Sequence, residues 1–343
     1  MSDTPPRRPE GGWPPAHPAA VEHPHSVRQP RGWPQPPADG PSPADGEWAR
    51  SGDGGWPGEQ PPQVIEIRPG PPPPPPAPRL RLPILLFVLT CLSTAITGGP
   101  LYGVALMIIL LSHELGHYLQ ARRYGVPASL PYFLPLPLIS PFGTLGAVIG
   151  MRPHSATGRG LFDIAISGPI AGLIPTLIFA VIGLQQSEFV PNEELPEGPS
   201  FIFGEPLLFE WLSAYVLGPA PEDHTLMLGA LGFAAWVGIF ITALNLLPVG
   251  QLDGGHILYT LAPRYAHWIG LGLFGATFGA VIAFKLWHWS LLLGLLWLMG
   301  FRHPPAVDPP PFQLGAARRI LGWLMLLFVI VGLTPNPVDI VGE

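Results

Sequence analysis

A chain of 343 residues would ordinarily make about two soluble domains, but only 12% of its side chains are charged and its mean hydropathy is +0.34. Those values exclude an ordinary soluble protein and place it among membrane proteins. A lone cysteine, Cys91, excludes an intrachain disulfide framework, and nucleic acid is not an expected partner of a chain with a formal net charge of −6.

Residues 1–78 differ in kind from the rest of the chain. They hold about half of the 49 prolines, including the run Pro71 to Pro76, and have almost no aliphatic clusters apart from "QVIEI". Such a segment cannot bury enough apolar surface to offset its ordering entropy, so a disordered cytoplasmic tail is expected. Gly-Trp-Pro recurs in it at Trp13, Trp33 and Trp56. Two readings stay open: a plain tether with incidental tryptophans, or a polyproline II segment that docks on a binding partner. The polar start lacks the basic and apolar regions of a signal peptide, and none is expected.

From Arg79 onward apolar blocks succeed one another closely, and helical spans are predicted at 82–98, 100–122, 162–185, 226–248, 266–284, 286–301 and 319–334. The fold class is therefore an all-α polytopic membrane protein of about six to seven transmembrane helices in contact with lipid. Between the second and third spans lies "PASLPYFLPLPLISPFGTLGAVIGMRP", apolar but too rich in proline for a regular helix. Irregular backbone is tolerated at membrane depth only where protein or a wet cavity covers it, so a short membrane-embedded β/loop segment is expected to dip in and line a site.

Charge sets the expected orientation. Arg79, Arg81, Arg122, Arg123, Arg152, Arg159, Arg264, Arg302, Arg318 and Arg319 fall on one side of this alternation and Lys285 on the other, while Gln186 to His224 carries several Glu and no Lys or Arg. The arginine side is read as cytoplasmic, in a multi-pass protein of the bacterial cytoplasmic membrane.

Within the second span stands "SHELGHYLQARR". A charged group at the bilayer centre costs about 3 kcal/mol, so ionisable residues there call for a purpose. His113 and His117 lie one helical turn apart on one face, with Glu114 beside them. Two imidazoles so spaced can grip one zinc, with the glutamate in reach of a metal-bound water. Catalytic zinc takes a third protein ligand, and Asp253 in "LNLLPVGQLDGGH" is the candidate, because both motifs reach the arginine-rich side at similar depth. One zinc per chain is the expected cofactor.

At these residues the chain resembles the site-2 proteases, zinc metalloproteases that cut substrates within the membrane. The resemblance covers about Leu82 to Gly300 and rests on "HELGH" with Ala121 one turn on, "PFGTLGAVIGMR", "SGPIAG" and "LNLLPVGQLDGGH". It implies that His113, His117 and Asp253 hold zinc, that Glu114 is the general base, and that Asn245 helps hold substrate or the developing oxyanion. It also implies a membrane-embedded strand at "PFGTLGAVIG", which an extended substrate could join by main-chain pairing. The transmembrane substrate would thus be cut by an intramembrane zinc endopeptidase, with the active site toward the cytoplasmic side. The expected organisation is a tail at 1–78, a protease domain at 79–335 and a short C-terminal tail at 336–343. "SGPIAG" reads as small-residue helix packing without a catalytic role. His256 reads as a wet histidine at a span end or as a neighbour of the metal site. Other classes remain open: a metal transporter using the same ligands, or an inactive scaffold.

Overall fold

The computed structural model describes residues 80–137, 139–195 and 200–341. The expected tail at 1–78, with its Gly-Trp-Pro repeats, lies outside the described residues. The described chain is mostly helical, with short strands at its connections.

Helix α1 (Arg81–Arg123) is interrupted at Gly99, whose φ of 86° is in the range that favours glycine, with Pro100 directly after it. Pro100 lacks an N–H to donate backward, and it opens a new helical segment in the position where proline is best tolerated. The interruption thus falls between the predicted spans 82–98 and 100–122. Arg122 and Arg123 occupy the last turn, where cations meet the negative end of the helix.

Strands β1 (Tyr132–Pro135) and β2 (Thr144–Val148) form an antiparallel hairpin in the proline-rich segment. Tyr132 pairs with Val148 and Phe133 with Ala147, and the register shifts before Pro135 meets Thr144. Both halves of α1 pin the turn: the Ser93 hydroxyl, before the interruption, donates to the Gly143 carbonyl, and the Tyr102 hydroxyl, after it, to that of Phe142 at 2.9 Å. Gly143 has a φ of 75°, and a Cβ there would lie 2.6 Å from Thr97 Oγ1, so the close approach needs glycine.

Helix α2 (Gly158–Gln185) starts at Thr157, whose hydroxyl accepts the Gly160 N–H at 3.1 Å. Beyond it, β3 (Glu188–Pro191) and β5 (His224–Met227) pair across the acidic segment. Two unpredicted elements lie between them: strand β4 (Ser200–Ile202) and helix α3 (Leu207–Leu217). Then come α4 (Ala230–Asn245), α5 (Asp253–Leu261), α6 (Ala266–Phe284), α7 (Ser290–Met299) and α8 (Ala316–Gly332). Asp339–Val341, in the segment expected as a C-terminal tail, form β6 and pair with β4.

Three of these helices, α1, α2 and α6, are long and apolar enough to cross a membrane. The predicted spans at 226–248 and 286–301 are shorter as helices, at 16 and 10 residues, against about 20 for a full crossing. Proline explains the first shortfall: Pro248 lies three residues beyond Asn245, and the chain leaves the helix before it.

Helices α1, α2 and α4 pack on one another around Tyr102, Leu106, Trp236 and Ile239, all essentially buried. Small residues let the backbones meet: a Cβ on Gly183 of α2 would lie 2.2 Å from Gly232 N of α4. On the arginine-rich side Arg318 of α8 grips Asp163 of α2 through two hydrogen bonds, at 2.7 and 2.8 Å, and the Tyr124 hydroxyl donates to the same carboxylate. The hydrogen bond to Asp163 also raises the Tyr124 phenol above its ordinary pKa.

Candidate active site

The two histidines of "HELGH" lie on the α1 face that meets α2. His113 is 4% exposed and Glu114 5%, so both groups have left bulk solvent. Asp253 arrives from 140 residues downstream in sequence, at the first position of α5. The turn from Leu246 to Leu252 that delivers it depends on glycine: a Cβ on Gly254 would lie 1.9 Å from the Leu246 carbonyl oxygen.

Three atoms converge. His113 Nε2 lies 3.1 Å from Asp253 Oδ2, His117 Nε2 lies 3.2 Å from the same oxygen, and the two Nε2 atoms are 3.1 Å apart. Zinc bonds of about 2.0–2.1 Å in tetrahedral geometry put neighbouring ligand atoms roughly 3.3 Å apart, so the triangle matches one face of a zinc site. Donor chemistry agrees. His117 Nδ1 lies 2.8 Å from the Ile164 carbonyl, which can only accept, so Nδ1 holds the proton and the neutral ring directs a lone pair from Nε2 at its neighbours. A lone pair aimed at a second imidazole nitrogen and a carboxylate oxygen is a ligand set that a cation completes. Among the described residues, His113, His117 and Asp253 form the group placed to hold a metal ion.

Glu114 and Asn245 share a cavity of about 230 Å³ with these ligands, and Ala147, Val148 and Ile149 at the end of β2 form another part of its wall. Asn245, the last residue of α4, brings Nδ2 to 3.5 Å from His113 Nε2. All five predicted site residues are thus brought to one cavity, and so is the edge of the hairpin.

Residues that sequence reasoning passed over complete the site. A Cβ on Gly168 would fall 2.0 Å from His117 Nε2, so "SGPIAG" makes room for a ligand as well as packing helices. Gly116 plays the matching part on α1, where a Cβ would lie 2.5 Å from the Ser167 carbonyl oxygen. Gly168→Ala is accordingly expected to push the His117 ring aside and to weaken zinc binding about 10- to 100-fold, the usual cost of losing ligand support. Titration against a competing chelator measures it, and unchanged affinity would show that His117 does not need its observed place.

His256 is not a wet histidine at a span end. It is 7% exposed, lines the same cavity and pairs through Nδ1 with Nε2 of His303, a residue that no sequence signal singled out. Burial pushes both imidazoles down, His256 to about 3 and His303 to about 4, which keeps the pair neutral.

Comparison with known proteins agrees with this geometry. Residues 102–269 match Peptidase family M50. The probable zinc metalloprotease EGY1 of Arabidopsis thaliana, a chloroplastic protein, is 32% identical over 240 residues, covering 68% of this chain and 42% of the relative. Its namesake in Oryza sativa subsp. japonica is 35% identical over 239 residues, 69% of this chain and 37% of the relative. The probable zinc metalloprotease EGY2 of Arabidopsis thaliana, also chloroplastic, is 33% identical over 163 residues, covering 46% of this chain and 28% of the relative. The chain therefore spans less than half the length of these relatives. Their chloroplastic location does not fit the expected bacterial cytoplasmic membrane, and charge asymmetry, which speaks only to sidedness, does not identify a membrane. With the HExxH pair and a distant aspartate meeting at one point inside the matched segment, the chain belongs, through residues 102–269, to peptidase family M50, the site-2 protease family.

Proposed function

We propose that the chain is an intramembrane zinc endopeptidase that hydrolyses a peptide bond in or near a transmembrane segment of a membrane protein. The observation that carries this reading is the convergence of His113, His117 and Asp253 at one point of a cavity that also holds Glu114. Zinc held by these three side chains would supply Lewis acidity and an acidified water. Glu114 takes the proton of the attacking water and passes it to the leaving amine. The Asn245 amide donates to the oxygen that gains charge. His117 keeps its place through the Ile164 carbonyl. The free edge of β2 pairs with the substrate backbone, which must be extended because a helical peptide bond is closed to attack. A transport path would instead repeat its ligands along a route.

Residues 79–335 would form the protease domain. In this reading both halves of α1, together with α2 and α6, cross the membrane as helices, α4, α7 and α8 cross it together with the non-helical residues that flank them, and the hairpin is embedded in it. The arginine-rich face carries the active site, and the acidic segment 186–224 lies opposite. In a Cys91→Ala background, cysteines at Glu193 and Arg302, both exposed, are expected to react with an impermeant reagent from opposite faces of sealed membranes. Labelling from one face would remove this topology. The proteolytic reading itself is tested by metal content and cleavage in a Glu114→Gln variant.

A further inference from the structure

His256 comes three residues after Asp253 on α5, so both enter the same cavity. Its hydrogen bonds can be traced outward to a group whose role is fixed by its chemistry. The Pro304 carbonyl only accepts, so His303 Nδ1, which contacts it, carries a proton. The neutral His303 ring then offers a lone pair at Nε2, and His256 Nδ1 donates to it. The lone pair of His256 is thereby fixed on Nε2, which has no partner among the described residues. Since no buried side-chain nitrogen or oxygen among the described residues lacks a partner, Nε2 is not sealed from solvent-sized space, and His256 is one of the residues that line the cavity.

The surroundings hold this arrangement rigidly. His303 stacks on Tyr259 with ring centroids 4.0 Å apart and planes 10° apart. The segment carrying it is tied to the start of α2: the Val307 N–H donates to the Ala156 carbonyl at 2.9 Å, and the Gly158 N–H to Asp308 Oδ1 at 2.6 Å. Phe312 fills the place where a Gly158 side chain would stand.

We propose that His256 Nε2, with its tautomer set by His303, accepts a backbone N–H of the substrate, so that α5 holds the side of the peptide turned away from β2. The inference rests on the peptidase reading of this cavity. An extended peptide presents N–H groups alternately to its two edges, and β2 can serve only one of them. On the other edge a buried N–H without an acceptor weakens binding. Asn245 offers a donor through Nδ2, the three ligand atoms face the metal, and Glu114 serves the water, which leaves His256 as a fixed acceptor. His256 touches substrate in this scheme, and His303 is a positioning residue.

Two zinc-directed probes separate this role from metal binding. Acetohydroxamate engages the metal alone, whereas a dipeptidyl hydroxamate adds backbone N–H groups. Calorimetry on the zinc-loaded full chain is expected to show the dipeptidyl probe weakened about 5- to 10-fold by His256→Leu, the loss of one hydrogen bond. Acetohydroxamate affinity and zinc content should hold within about twofold. His256→Gln, which can present an amide oxygen in the same region, should recover most of the loss. His303→Phe, which keeps the stack on Tyr259 but removes the acceptor, should lower dipeptidyl affinity selectively. N-methylation of the probe at one amide should abolish the difference between the parent protein and His256→Leu, and this series needs the parent alone if the variant does not fold. Equal dipeptidyl affinity in parent and His256→Leu, with no N-methyl position mattering in the parent, overturns the proposal. Zinc loss in His256→Leu overturns it in favour of a metal-supporting role. A parent that takes up zinc and cleaves yet shows no such selectivity leaves the peptidase reading standing. A parent that binds no zinc and neither probe removes that reading, and this inference with it.

Discussion

Glu114→Gln is expected to abolish peptide hydrolysis while about one zinc per chain stays bound. The amide keeps the size of the carboxylate and sits in the same cavity, but it cannot take a proton from water. Positioned general-base catalysis contributes about 10²- to 10⁴-fold, so cleavage should fall by at least two orders of magnitude. Zinc should survive because the ligand triangle consists of His113, His117 and Asp253 and leaves Glu114 free of the metal. A His113→Ala, His117→Ala double variant should lose both zinc and activity. Membrane proteomes compared with and without Glu114→Gln should then reveal an accumulated membrane stub, which would name a substrate. Parental cleavage by Glu114→Gln would end the proposed peptidase mechanism, and zinc retained by the double histidine variant would end the metal site.

Proline in β2 should damage cleavage more than any side-chain exchange that spares the backbone. Val148 lines the cavity and is 52% exposed, so its side chain is not needed to hold a core. If β2 pairs with the substrate, the function of residues 145–149 lies in N–H and C=O groups on the edge away from β1. One such hydrogen bond contributes about 0.5–1.5 kcal/mol, so removing an N–H should lower kcat/KM about 3- to 10-fold, and more if proline also bends the strand. Val148→Thr keeps both the β-branch and the N–H and should stay within about twofold. Because successive N–H groups point to opposite edges, the scan should alternate. Prolines on the outer edge should reduce cleavage with expression and zinc intact, and prolines on the β1 edge should destabilise the hairpin. Parental rates at every position would show the hairpin to be a packed loop that does not hold substrate.

Much of the chemistry was legible in sequence because it is local. His113 and His117 share a face through the helical period alone, and Gly99-Pro100 marks the interruption of α1 because neither residue continues a helix well. That no regular helix runs between the second and third predicted spans could be anticipated from the prolines there. The length of α4 was overestimated, since hydropathy continues past Asn245 while the backbone turns before Pro248. Helix α3 was missed because its apolar run, LLFEWLSAYVL, is only 11 residues long and falls short of a span, and the pairing of β4 with β6 was missed because the two strands lie far apart in sequence.

The order of residues alone was enough to nominate candidate reacting groups: two histidines and a glutamate on one apolar helix, with an aspartate and an asparagine as candidates to join them. It took the folded chain to show that Asp253 meets His113 across 140 residues, that a side chain on Gly168 would take the space of the His117 ring, and that His303 pairs with His256. The reason is range. A helical turn is written in residues three or four apart, whereas the contact of two helices depends on every side chain between them, and a hydrogen-bond chain through two imidazoles and a carbonyl leaves no pattern along the sequence at all.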